Sequence, residues 1–150
     1  MINRIRLTKR FTFEAAHTLY NHDGDCKYIH GHSYKLYVTV IGIPIDNPKD
    51  SKNGMVIDFK DLKSLVKEYI IDKYDHALLL NNVNQSPLIT TLNSNMKLVI
   101  VNFQTTCENM LAHFANTLEP KLAEKNIQLF SIKLYETESS YAEWYLSDQQ

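Results

Sequence analysis

Three of the six histidines in this 150-residue chain stand where strand patterning meets an apolar face. His30-Gly31-His32 sets two imidazoles two residues apart, so an extended strand points both to one side. Their parity continues into Tyr34, Leu36, Val38 and Val40, an apolar row. A second row, Ile5, Leu7, Phe11 and Phe13, runs on through Ala15 to His17, and a third, Phe130, Ile132 and Leu134, runs into Glu136. If those strand ends are neighbours, three imidazoles and a carboxylate share a pocket. Neutral imidazole is the commonest metal ligand. Three histidines with a free fourth position are the donor set of a catalytic zinc, a Lewis acid toward substrate oxygens, whereas a structural zinc is closed by four protein ligands that usually include thiolates. The alternative for an H-x-H pair is two ordinary surface or core histidines, and Gly31 between them would let the backbone pass close to the site.

Further reactive groups lie nearby in sequence. Cys26 precedes His30 by four residues, and a thiol beside a cation loses its proton more easily, which suits a base or nucleophile. It also reads as a small buried residue or a fourth zinc ligand. In Asp75-His76 a carboxylate can fix the tautomer of an imidazole and stabilise its charged form, although neighbours in sequence need not touch. Asp75 alternatively ends the preceding helix. Glu108 is either part of a pocket or the last residue of a capping box, Thr105-Thr106-Cys107-Glu108.

These residues need a frame. Alternating runs predict strands over Ile5–Phe13 and Tyr34–Ile41, and a short strand at Met55–Ile57 follows the turn-forming stretch Pro44–Gly54. Asp58 reads as the N-cap of a helix over Phe59–Ile71, with Leu62, Leu65, Val66 and Ile70 on its apolar side. Asn81–Asn95 reads as a polar loop and Lys97–Phe103 as a strand. A second amphipathic helix carries Met110, Leu111, Phe114, Leu118 and Leu122, and strands over Ile127–Glu136 and Tyr141–Leu146 end the sequence. The order predicts an α+β domain over residues 1–150, an antiparallel sheet with helices on one face.

Composition narrows the partners. Sixteen Lys+Arg balance 17 Asp+Glu, with no long block of either sign, which argues against nucleic acid as the main ligand. No apolar run approaches the ~20 residues of a membrane span, and Met1–Arg10 lacks the apolar stretch of a signal peptide, so a cytoplasmic protein is expected. With only Cys26 and Cys107, no disulfide framework is expected.

Five motifs in order, Phe13-Glu14-Ala15-Ala16-His17, Cys26 through His32, Asp75 through Asn81, Thr106-Cys107-Glu108-Asn109 and Tyr135-Glu136-Thr137, make the protein resemble the 6-pyruvoyl- and 6-carboxy-tetrahydropterin synthase family from about Phe11 to Trp144. The resemblance implies a tunnelling fold: a four-stranded antiparallel sheet with two helices on one face, joined between subunits into a barrel, commonly a hexamer of two stacked trimers with sites between subunits. It implies Zn2+ on His17, His30 and His32, Cys26 as general base, Asp75 and His76 as a proton relay, and Glu136 as pterin anchor with Glu108 close by. The implied substrate is 7,8-dihydroneopterin triphosphate. The three-residue gap between Cys26 and His30 is similar to that of the carboxy-forming bacterial enzymes of queuosine and other deazapurine pathways. The alternatives are a pyruvoyl-forming synthase, which eliminates triphosphate without cleaving the substrate's side chain, and a non-catalytic zinc- or pterin-binding homologue.

Overall fold

The computed structural model describes residues 3–82, 86–92 and 96–150. Two long strands, β1 (Ile5–His17) and β2 (His30–Gly42), pair antiparallel along their whole length, from Ile5 opposite Gly42 to His17 opposite His30. This ladder is the spine of the molecule, and its last rung is a pair of histidines. The backbone then enters α1 (Phe59–Val66), where Asp58 accepts from the Lys60 N–H as N-cap. A π-helical turn (Lys67–Ile71) and a last helical turn (Asp72–Tyr74) lead to Asp75. β3 (Ala77–Asn81), α2 (Ser86–Thr91), β4 (Leu98–Val101), α3 (Cys107–Ala123), β5 (Gln128–Tyr135) and β6 (Tyr141–Tyr145) follow.

The sheet has six strands in the order β4-β3-β1-β2-β5-β6. This corrects the expected four-stranded antiparallel sheet: β3 lies parallel to β1, and β4 parallel to β3. Ala77–Asn81 is buried on both faces, so it shows the continuous apolar run of an interior parallel strand, not alternation. The expected Met55–Ile57 strand does not form; that stretch is bend and coil ahead of Asp58. Within the expected loop Asn81–Asn95, the backbone makes the end of β3 and the helix α2, while residues 83–85 and 93–95 lie outside the described residues.

The inward rows of β1 and β2 are as the alternation predicts: Phe11, Phe13, Leu36, Val38 and Val40 are buried. Leu62, Val66, Met110, Phe114 and Leu118 from the helices pack over them. In β5 the row is Leu129, Ile132 and Leu134, with Phe130 turned partly outward. The cause is a bulge: Thr39 pairs with Ser131 but Val40 pairs with Leu129, which leaves Phe130 unmatched and flips the parity before it. Beyond the bulge the predicted phase holds, so Leu134 and Glu136 share the core side with His32. No helix among the described residues is long and apolar enough to cross a membrane.

Candidate functional site

At the open end of the spine, the ligand nitrogens of His17, His30 and His32 lie within 4.8 Å of one another. Register explains the meeting. His17 faces His30 directly across the ladder, and His32 is two residues further along the same side of β2. Backbone carbonyls fix the rings. The His17 Nδ1–H donates to the Thr105 carbonyl at 2.7 Å, and the His30 Nδ1–H donates to the Tyr28 carbonyl at 2.8 Å. With both protons held on Nδ1, neutral rings present bare lone pairs at Nε2. Those two Nε2 atoms are 3.1 Å apart. Two facing lone pairs repel, and a shared proton would bond to only one nitrogen fully. A cation between them satisfies both.

Burial favours the neutral form of His17 and His32. It pushes His17, which is 1% exposed, down to about 4, with the Thr105 carbonyl opposing and the other two imidazoles adding to the fall. His32 is lowered as well, chiefly by burial, against the pull of Glu136. Its Nε2 lies 3.0 Å from Glu136 Oε1, yet that contact lacks hydrogen-bond alignment, so a buried nitrogen is left without a donor or acceptor. Three imidazoles, two of them held by backbone carbonyls and the third with an orphaned nitrogen, fit a metal ion with a coordination position left for another ligand. Gly31 has a smaller part than its spacing suggests. A Cβ there would sit 3.5 Å from the Ala15 carbonyl, an ordinary contact, and on the opposite face from the imidazoles.

Cys26 lies in a 3-10 turn (Asp25–Lys27) between β1 and β2, half-buried and outside the histidine cluster. The turn is pinned to the end of β1: the Leu19 N–H donates to the Cys26 carbonyl at 2.8 Å, and the Thr18 hydroxyl to the Lys27 carbonyl at 2.6 Å. Cys107 is the packing cysteine. It is buried, its thiol is pushed up to about 12 by burial, and it donates weakly to the Leu134 carbonyl.

Asp75 and His76 do touch, with Asp75 Oδ2 3.0 Å from His76 Nδ1, while Asp75 Oδ1 accepts from the Glu14 N–H at 2.9 Å. The Glu14 amide, followed by desolvation in opposition and then by His76, holds Asp75 below the usual carboxylate range. His76 adopts the left-handed conformation, φ 61°. His76 lines a cleft of about 480 Å3 with Glu14, Gly31, His32, Ser33 and Lys97. Glu14 and Ser33 alternate with the inward rows, while His32 and Ala15 belong to them, so the cleft wraps the sheet end beside the histidine cluster. Cys26 does not line it.

Glu108 is exposed in the first turn of α3. The capping frame corrects the expected box: Thr106, not Thr105, is the N-cap and accepts from the Asn109 N–H, which places Glu108 one position short of the residue that closes a box. Thr105 instead turns inward, fully buried, and lends its carbonyl to His17. Sequence patterning misses both ring-orienting carbonyls, since a backbone acceptor has no residue type. It also misses Lys97, whose partners are carbonyls too.

The family model for 6-pyruvoyl tetrahydropterin synthase matches residues 6–146. The protein belongs to that family. It is 40% identical to a 6-carboxy-5,6,7,8-tetrahydropterin synthase of Haemophilus influenzae over 143 residues, covering 93% of this sequence and 97% of the relative. A protein of the same name from Rickettsia conorii is 35% identical over 141 residues, covering 93% and 99%. Among solved structures, the 6-pyruvoyl tetrahydropterin synthase of Caenorhabditis elegans superposes with a TM-score of 0.68 at 21% identity, covering 96% of each protein. That likeness places the α+β domain in the tunnelling fold of the family.

Proposed function

We propose that the protein is a zinc-dependent 6-carboxy-5,6,7,8-tetrahydropterin synthase of the cytoplasm, converting 7,8-dihydroneopterin triphosphate and water to 6-carboxy-tetrahydropterin, acetaldehyde and triphosphate in a deazapurine pathway such as that to queuosine. The observation that carries this reading is the convergence of His17, His30, His32 and Glu136 at one end of the inward face, with Cys26 in the adjoining turn. Forty per cent identity to a relative with that activity in its name supports the carboxy product over the pyruvoyl one.

In this reading His17, His30 and His32 hold the ion. When bound, zinc supplies Lewis acidity toward the substrate's propyl-arm oxygens and lowers the cost of a thiolate nearby. Cys26 removes the proton from the carbon beside those oxygens. Glu136 anchors the pterin by accepting from its 2-amino and ring N–H groups, and Glu108, free of a capping duty, faces solvent where a pterin edge could reach it. Asp75 holds the Nδ1 side of His76, so the ring exchanges protons through Nε2.

The Asp75–His76 cleft reaches His32 at the edge of the histidine cluster, whereas Cys26 does not line it. Because Cys26 lies away from that cleft, Cys26 of one subunit is proposed to work with Asp75 and His76 of the next. β4 and β6 each have a strand neighbour on one side only among the described residues, and such edges are templates for pairing, which supports a barrel of several copies in a hexamer.

The test is to incubate zinc-loaded protein with 7,8-dihydroneopterin triphosphate, assay acetaldehyde and identify the pterin by mass spectrometry. Acetaldehyde with 6-carboxy-tetrahydropterin is expected. A pyruvoyl product without acetaldehyde would overturn the carboxy assignment, and metal binding with no turnover would leave a zinc- or pterin-binding protein.

A further inference from the structure

The turn that holds Asp75 and His76 is secured by a residue that no motif marks. Lys97 Nζ donates to the Asp75 carbonyl at 2.6 Å and to the Asp72 carbonyl at 2.7 Å. The Lys97 carbonyl in turn accepts from the Leu78 N–H at 2.9 Å, so the lysine is stapled to the start of β3. The bond to Asp72 is an ordinary one, a cation on the last carbonyls of a helix. The bond to Asp75 is different in kind, because that carbonyl belongs to the peptide unit joining Asp75 to His76. The other end of the same unit, the His76 N–H, donates to the Glu14 carbonyl at 2.6 Å. One peptide plane is thus gripped on both edges.

What the grip secures is an uncommon backbone conformation. His76 sits at φ 61°, a left-handed conformation that few non-glycine residues take, although histidine enters it more readily than most. Rotating the Asp75–His76 peptide plane would relax it, and would also swing the ring away from Asp75 Oδ2 and out of the cleft it lines. Glu14 holds the amide and the Asp75 carboxylate; only Lys97 holds the carbonyl among the described contacts.

We propose that Lys97 is a positioning residue, clamping the Asp75–His76 peptide plane so that the His76 ring stays on Asp75 and in the cleft. The role rests on the proposed relay reading of Asp75 and His76, and lies in the stretch ahead of β4, which the family motifs do not include. Lys97 is exposed, so replacing it leaves the core intact.

The experiment compares wild type, Lys97→Met and Lys97→Arg in two readouts. The first is kcat and KM with zinc content and melting temperature recorded alongside. The second is long-range 1H–15N correlation spectroscopy of the histidine rings, with His76 assigned by its loss in His76→Gln. Lys97→Met is expected to lower kcat roughly ten- to a hundredfold, the cost of a catalytic group displaced by about an ångström. KM and zinc content should stay within twofold. The His76 ring should pass from a single Nδ1–H tautomer to a mixture, and Lys97→Arg, which keeps a long cationic donor, should restore both readouts. An unchanged His76 ring in Lys97→Met would overturn the clamp whatever the turnover. A changed ring with kcat intact would instead overturn the relay reading of His76, as would a wild type without synthase activity, and in either case the spectra still decide whether Lys97 holds the turn.

Discussion

Acidifying the metal-free protein from pH 7 to pH 5 is expected to destabilise it by about 2 kcal/mol through His17 alone. The imidazole is pushed down by burial to about 4 in the folded state, against about 6.5 in the unfolded state. Between those values the unfolded state binds a proton that the folded one refuses, so stability falls as pH falls through 6.5 and the loss is complete below 4. The full difference is about 3 kcal/mol at 1.36 kcal/mol per unit, of which about two-thirds is expressed by pH 5. His32 is lowered too and adds in the same direction. For a domain of this size 2 kcal/mol corresponds to about 4–8 °C in melting temperature. The assay is calorimetry on chelator-treated protein at both pH values, with His17→Asn as reference, since carboxylates elsewhere respond to acid equally in both proteins. Wild type should lose about 4–8 °C more than the variant. Saturating zinc should raise the melting temperature of wild type at pH 7 and leave that of the variant nearly unchanged. Equal pH slopes in the two proteins would refute the claim that desolvation of this ring is what keeps it neutral and ready to bind a cation.

Cys26→Ala should keep zinc, measured by atomic emission, and lose turnover, because the thiol lies outside the histidine cluster; parallel loss of zinc would make it a ligand. Glu136→Gln should weaken pterin binding in a fluorescence titration with little change in metal content, and unchanged binding would remove it from the anchor role. Mixing Cys26→Ala with His76→Gln subunits after partial denaturation should regain about a quarter of the wild-type rate if each site draws on two subunits, and nothing if it draws on one. Thr106→Ala should cost about 1 kcal/mol in urea denaturation as the α3 N-cap, whereas Glu108→Gln should cost little.

How much of the molecule was legible in its sequence follows from the range of each signal. Alternation is a local property of a strand, so Phe13 to His17 and Tyr34 back to His30 could be phased from sequence, and the pocket followed from strand ends being neighbours. The same reasoning misplaced Phe130, because a bulge is set by the partner strand and β5 shows nothing of Val40. β3 was missed as a strand for the opposite reason: buried on both faces, Ala77–Asn81 has no alternation to read, and with it went the parallel half of the sheet. The α3 cap was misread by one residue because two threonines stand side by side, and what separates them is tertiary: Thr105 is drawn into the core by its carbonyl contact with His17.

The groups that do chemistry and the groups that aim them differ in the same way. Imidazoles, thiols and carboxylates announce themselves by residue type. Most of what orients them here is backbone: Thr105 and Tyr28 carbonyls on two rings, the Glu14 amide on Asp75, and the Asp75 carbonyl under Lys97. Any residue supplies those groups, so substitutions at these positions can alter the side groups while the fold keeps the donors and acceptors in place. Lys97 is the exception, an aiming group that acts through its ammonium, and for that reason it is the one member of the supporting set that a single substitution can remove cleanly.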